Sequence, residues 1–223
     1  MKSFGWLREL AGFVLEANCL LCQRSTPHEF CQDCQRRVLR CQLPEGDRVQ
    51  AGQPRVFAWG NYRGALKQAI AALKYHNQPQ VARLLAQQLA SSWLVANQAT
   101  SLTVVPIPIH ARKRQQRGYN QADLLAKHFC EFTRLPLVLE GLERSQETTA
   151  QFALSPAERE QNLARAFSLG KTFCKKPPST PVLLIDDIYT TGATTRSAAQ
   201  TLRRHGIRVH GIVVVARALR ESC

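Results

Sequence analysis

Apolar positions along this chain recur at two spacings that take turns, and the alternation lays out strands and helices in order. Arg55–Tyr62 (RVFAWGNY) reads as a strand. Ala65–Lys74 follows with Leu66, Ile70 and Leu73 on one helical face, and Val81–Val95 with Val81, Leu84, Leu85 and Leu89. Leu102–Val105 is a short apolar strand stopped by Pro106, and Pro108 stiffens the loop beyond it. A helix is expected over Gln121–Phe132 and a strand over Leu137–Leu139. Ser155-Pro156-Ala157-Glu158 has the form of a capping box with proline at the first helical position, so a helix should start there. Val182–Ile185 is continuously apolar, the pattern of a strand covered on both faces in a parallel sheet. A helix over Thr195–Arg204, a stop at Gly206 and a strand over Val209–Ala216 complete the series. Strands alternating with helices indicate a doubly wound α/β domain from about residue 55 to residue 223.

Ahead of that domain, Phe4, Leu7, Leu10, Phe13 and Val14 form a helical stripe interrupted by Glu9 and Glu16. No small-residue cleavage site follows, so a signal peptide is not expected, and the expected location is cytoplasmic. Hydrophobic residues make up 44% of the 223, enough for a folded core. No apolar run approaches the ~20 residues that span a bilayer.

Four of the eight cysteines stand as Cys19-x-x-Cys22 and Cys31-x-x-Cys34. Two such knuckles offer four thiolates to one tetrahedral ion, and the ligand count favours structural zinc over a disulfide pair or a redox dithiol. With no catalytic histidine or acid beside it, the site reads as closed and structural. Cys41 is expected to be a bystander and Cys130 a small core residue, with Cys174 and Cys223 scattered. The expected organisation is an N-terminal helix and zinc segment over residues 1–45, a linker over 46–54, and the α/β domain over 55–223.

Chemistry concentrates at two loops. Asp186 and Asp187 follow the Val182–Ile185 strand, where open parallel sheets receive ligands. Thr190, Thr191, Gly192, Ala193, Thr194 and Thr195 then supply amides and hydroxyls at a helix N-terminus, which suits a phosphate. Carboxylates beside a phosphate cradle point to a phosphorylated sugar. The second loop, Pro106–Gln121, carries Arg112, Lys113, Arg114 and Arg117, and its guanidinium groups can grip a pyrophosphate. Gly118 gives that loop a close turn, and Asn120 and Gln121 either cap the next helix or reach the ligand. The formal net charge of +14 favours a polyanionic partner, either nucleic acid or a polyphosphate substrate, and Arg203, Arg204 and Arg208 form a looser cluster. Neither G-x-x-x-x-G-K-[ST] nor a G-x-G-x-x-G after a strand is present, which removes the main support for P-loop and dinucleotide readings.

The strand, acid pair and Thr-Thr-Gly-x-Thr loop resemble the signature of the type I phosphoribosyltransferases. The whole pattern is similar to the ComF/GntX family of late-competence proteins. It runs from paired cysteines to Leu73-Lys74-Tyr75, Val105-Pro106-Ile107-Pro108, Arg117-Gly118-Tyr119-Asn120-Gln121, Thr149-Ala150-Gln151, Arg159–Asn162, Ala166-Phe167 and the final loop. The resemblance implies a phosphoribosyltransferase-like parallel sheet flanked by helices, with a small zinc-binding segment. It implies that Asp186 and Asp187 meet the ribose of phosphoribosyl pyrophosphate, with magnesium, and that Thr190 to Thr194 hold its 5-phosphate. Arg112, Lys113 and Arg117 then face the pyrophosphate, and Asp186, Asp187 and Arg117 carry any catalysis. It further implies single-stranded DNA as a partner, possession of a role in natural transformation, and contact with other competence proteins. Many relatives carry a second cysteine pair near Cys41, where this chain keeps one cysteine, so a second zinc is not expected. An active transferase in nucleobase or nucleotide salvage and a DNA-handling protein that keeps the sugar-phosphate site both remain open.

Overall fold

The computed structural model describes residues 17–96, 101–145 and 166–218. The N-terminal apolar stripe, Thr149-Ala150-Gln151, the capping box at Ser155, Arg159–Asn162 and Cys223 lie outside the described residues. The chain opens with a small hairpin, β1 (Ala17–Asn18) and β2 (Ser25–Thr26), followed by helix α1 (Gln32–Leu39). A single turn of tighter helix at Glu45–Asp47 leads into β3 (Val49–Gln50) and β4 (Val56–Asn61). Then come α2 (Gly64–Tyr75), α3 (Val81–Ala96), β5 (Thr103–Pro106), α4 (Ala111–Arg117) and α5 (Gln121–Thr133). The hairpin strands β6 (Leu142–Arg144) and β7 (Phe167–Leu169) precede α6 (Lys171–Lys175), and β8 (Val182–Tyr189), α7 (Ala193–Arg204) and β9 (Val209–Arg217) complete the order.

One five-stranded sheet, in the order β3-β4-β9-β8-β5, organises the whole. β4, β9, β8 and β5 run parallel, and β3 pairs antiparallel with β4 at the edge. The unbroken apolar runs in β8 and β9 follow from burial on both faces. Leu183, Ile185, Val213 and Val215 pack with Phe57, Trp59 and helices α2, α3 and α5. Leu184, Ile212 and Val214 pack oppositely against Ala198, Ala199 and Leu202 of α7. Each fully buried Leu, Ile or Val contributes about 1.5–3 kcal/mol relative to exposure. The α/β class expected from the sequence is the one observed.

Four local departures matter for the site. β8 does not stop at Ile185 but runs through both acids to Tyr189, with Asp186 paired in register to Val214 and Ile188 to Ala216. α7 begins at Ala193 rather than Thr195. Residues 137–139 make one parallel bridge, Val104 to Leu137, because the segment only brushes the edge of β5. Stretch 46–54 is drawn into the sheet: Ala58 N donates to Arg48 O at 2.8 Å and β3 pairs with β4.

Candidate sugar-phosphate site and thiol cluster

Strand lengths place the acid pair. Pro106, the last residue of β5, pairs with Ile185, so Asp186 and Asp187 extend beyond the end of their neighbour. Side chains alternate across a strand, which gives Asp187 the face of Leu183 and Ile185 and Asp186 the face of Val182 and Leu184. Both are buried, at 9% and 3% exposure. Asp187 N donates to Asp186 Oδ1 at 2.8 Å, which fixes the first carboxylate against its own backbone.

The two faces supply different cations. Lys74, in the last turn of α2, brings its Nζ to 2.5 Å from Asp187 Oδ2. That oxygen accepts no well-aligned hydrogen bond, so the ion pair alone compensates its burial. Burial works against the Lys74 charge, yet Asp187, with Asp186 and Tyr75 behind it, more than offsets this and raises the ammonium's pKa. Burial, reinforced by the charge of Asp187, pushes the Asp186 carboxyl well above its ordinary value despite the opposing pull of Lys74. Arg144 on β6 is held below its ordinary value by burial, with Asp186 acting in the opposite direction.

Beyond Tyr189 the chain turns into α7 through Thr190, Thr191 and Gly192. Gly192 is the N-cap, with φ 75°. Thr195 Oγ1 donates to Gly192 O at 3.0 Å and an Arg196 guanidinium nitrogen donates to Thr191 O at 2.7 Å, so the turn's carbonyls are tied inward. Thr190 and Thr191 are exposed and Ala193 and Thr194 half-buried. The first amides of a helix have no partner within it and carry the positive end of its dipole. Within the turn Ala193 N donates to Thr191 Oγ1 at 3.4 Å, so the Thr191 hydroxyl sits over the first amide of α7.

The basic loop folds differently from expectation, as helix α4. His110 caps it by accepting from Arg112 N, and Gly118, with φ 81°, ends it. Arg117, in the last turn, donates to Gln121 Oε1 and lies 5.5 Å from the centre of the Tyr75 ring. Tyr119 Oη donates to Leu73 O at 2.5 Å. These contacts bind the basic element to the end of α2, placing Arg117 over Tyr75, the residue after Lys74. Arg112 and Lys113 lie exposed on the outer turns of α4, and Arg114 reaches Asp123 at 3.8 Å. Asn120 caps α5 by accepting from Ala122 N, and its Nδ2 donates to Ile107 O at 3.1 Å; its role is structural. A cavity of about 730 Å³ lies between α4, the start of α5 and residues 137–144. Arg144 lines it; Asp186 and Asp187 do not.

The four knuckle cysteines converge. Their Sγ atoms all lie within 4.8 Å of one another, and Cys22 and Cys31 are 3.6 Å apart. A tetrahedron of ~2.3 Å metal–sulfur bonds has edges of about 3.8 Å, so the donor set fits one tetrahedral ion. Backbone amides favour the thiolate form. The Arg24 amide chiefly draws Cys22 down to about 6. Burial opposes ionisation of Cys19, but the amides of Cys31, Cys22 and Leu21 outweigh it. Burial and the neighbouring sulfurs push the Cys34 thiol upward. Cys41 is no idle bystander: its Sγ lies 3.5 Å from Arg37 O and 3.4 Å from Arg63 O, joining α1 to α2. Cys130 is half-buried on α5, its thiol pushed to about 12 by burial.

Sequence reasoning missed Lys74 and Arg144 as partners of the acids. Lys74 stood in the quoted Leu73-Lys74-Tyr75 pattern, but a lysine closing a helix reads as a solvated complement to the dipole.

No protein-family model matches the chain. Competence protein F of Haemophilus influenzae is 32% identical over 163 residues, 71% of each chain. DNA utilization protein YhgH of Escherichia coli K12 is 28% identical over 209 residues, 90% of each. Among solved structures, adenine phosphoribosyltransferase from Leishmania donovani superposes with a TM-score of 0.43 at 15% identity, over 76% of this chain and 74% of that one.

Proposed function

The chain belongs to the ComF family of competence proteins, and we propose that it binds phosphoribosyl pyrophosphate with magnesium at the C-terminal edge of its sheet and works on single-stranded DNA. The observation that carries the first half is the buried acid pair at the end of β8, joined directly to a glycine-capped helix N-terminus. Buried carboxylates are costly unless they have a use or a partner, and the amide of Asp187 and the charge of Lys74 do not bring the Asp186 carboxyl back to its ordinary value. A ligand bearing a diol, a terminal phosphate and a pyrophosphate satisfies all three parts. Asp186 and Asp187 accept from the ribose hydroxyls, the amides and hydroxyls of Thr190 to Thr194 take the 5-phosphate, and Arg117 faces the pyrophosphate. Arg112 and Lys113 reach the same anion from α4. Magnesium, when bound, offsets the pyrophosphate charge, and the two acids are the oxygen donors available to that region. Ribose held by two acids is also set up to favour positive charge at its anomeric carbon, the chemistry of transfer to a nitrogen acceptor.

A second surface supports the DNA half. Arg36, Arg37, Arg40, Arg63 and Lys67 are all exposed. Cys41 ties the Arg37 and Arg63 backbones together, which makes the exposed sides of α1 and the start of α2 one basic face. None of the five pairs with a described acid. Such a face suits a phosphate backbone, and a relative bears the name DNA utilization protein. The four-thiol cluster, holding zinc, keeps α1 in place beneath it.

Thermal melting tests the ligand. Phosphoribosyl pyrophosphate at a hundredfold its Kd should stabilise the chain by about 2.7 kcal/mol, with magnesium present. Ribose 5-phosphate and pyrophosphate should each do less, and an unmoved transition with the whole ligand rejects the reading.

A further inference from the structure

Lys74 stands where the ligand must be received. Its ammonium is 2.5 Å from Asp187 Oδ2, with the two side chains 16% and 4% exposed. The acid pair has two carboxylates, and Lys74 is the one cation in direct contact with Asp187 among the described residues. Oxygen donors of this kind are what hard divalent cations take. Without the lysine, Asp187 would offer an incoming divalent cation an uncompensated buried carboxylate, with the Asp186 carboxyl next to it in the chain.

We propose that Lys74 closes the acid pair to free divalent cations, so that magnesium enters only together with a pyrophosphate-bearing ligand. This rests on the phosphoribosyl pyrophosphate reading and adds to it an order of binding. The ammonium can leave Asp187 only when something else takes both of its interactions. A bare metal ion offers the carboxylate a replacement but leaves Lys74 a buried charge beside a second cation. The whole ligand offers both replacements at once: hydroxyls to Asp187 and phosphate oxygens to Lys74. The placement allows this exchange. Lys74 lies in the last turn of α2, next to Tyr75, which is 73% exposed and holds the Arg117 guanidinium over its ring. A lysine stem swinging from Asp187 towards that arginine stays within one basic neighbourhood, which favours an incoming pyrophosphate and disfavours a lone cation.

The test is a titration of Mn²⁺ alone, with no phosphoribosyl pyrophosphate, into the full chain, followed by the electron paramagnetic resonance signal of the free ion. The native chain and Lys74→Arg should bind Mn²⁺ weakly at this site. Lys74→Met and Lys74→Gln should bind it at least tenfold more tightly, and adding Asp187→Asn to Lys74→Met should abolish the gain. Equal affinity in native chain and folded Lys74→Met overturns the proposal; so does a Lys74→Arg chain as open as Lys74→Met, since the charge would then not be the barrier. If neither neutral variant folds, the native chain decides: Mg²⁺ alone should leave its melting temperature unchanged, and a clear rise overturns the proposal. A native chain that ignores phosphoribosyl pyrophosphate would reject the ligand reading by a separate measurement, without altering the metal titration.

Discussion

A Cβ on Gly192 would stand 2.2 Å from Tyr189 Oη and 2.4 Å from Tyr189 Cζ. The glycine also has φ 75°, a backbone conformation that costs other residues about 1–2 kcal/mol. Two independent demands therefore fall on one position in the phosphate turn. Gly192→Ala should weaken phosphoribosyl pyrophosphate binding at least tenfold and lower stability by about 1–3 kcal/mol. Adding Tyr189→Phe should not restore either, because the ring carbon clashes as the oxygen does. Recovery in the double variant, by calorimetry and melting, would count against the steric account.

Asp186 makes stability depend on pH in a set direction. Its folded pKa lies well above the ordinary aspartate value of 3.8, so between those two values the folded chain holds a proton that the unfolded chain has released. Stability contributed by this group is therefore greatest below the unfolded value and declines as pH rises through the window. Asp123, raised by burial, adds in the same sense. Asp186→Asn keeps an acceptor for the Asp187 amide and removes the buried charge. It should raise stability at neutral pH by about 1–3 kcal/mol, flatten the decline, and weaken ligand binding. Denaturant unfolding at several pH values gives the answer; a less stable Asn variant contradicts it.

Local chemistry explains which parts of this molecule were legible in the sequence. The apolar run at Val182 declared a buried strand, and the two cysteine knuckles declared a metal-type cluster, because each signal lies within a few neighbouring residues. The end of β8 is hidden from the sequence since acids ordinarily halt a buried strand, and here Lys74 compensates Asp187 from 113 positions away. The same distance hid Lys74 itself. The sequence of helix α4 reads as a loop because seven mostly polar residues show no apolar stripe, and its His110 cap and Gly118 stop are short signals inside a run of charge. Cys41 looked idle for want of a partner cysteine; its contacts are carbonyls of Arg37 and Arg63, which no cysteine spacing reveals.

The thiol cluster separates cleanly from Cys41. Elemental analysis should return one zinc per chain, Cys31→Ser should lose it, and acidification should release it as the thiolates take up protons. Cys41→Ala should keep the metal while destabilising the α1–α2 contact by about 1–3 kcal/mol. Zinc lost from Cys41→Ala and kept in Cys31→Ser would reverse the assignment.

The basic face should reveal itself through salt. Five phosphate contacts to a single strand give a slope of log affinity against log salt of about −3.5. Replacing Arg36, Arg37 and Arg40 together by Glu should weaken single-stranded DNA binding at least tenfold and leave phosphoribosyl pyrophosphate binding intact. A gel-shift series across salt reads the slope and the loss of DNA affinity, and calorimetry reads the ligand; a flat response in the native chain removes the phosphate-backbone interpretation.

Isothermal calorimetry of phosphoribosyl pyrophosphate with magnesium, run on the native chain and on Asp187→Ala, tests the acid pair most directly. The account predicts saturable one-site binding in the native chain and at least a tenfold loss in the variant. Equal affinity in both would contradict it.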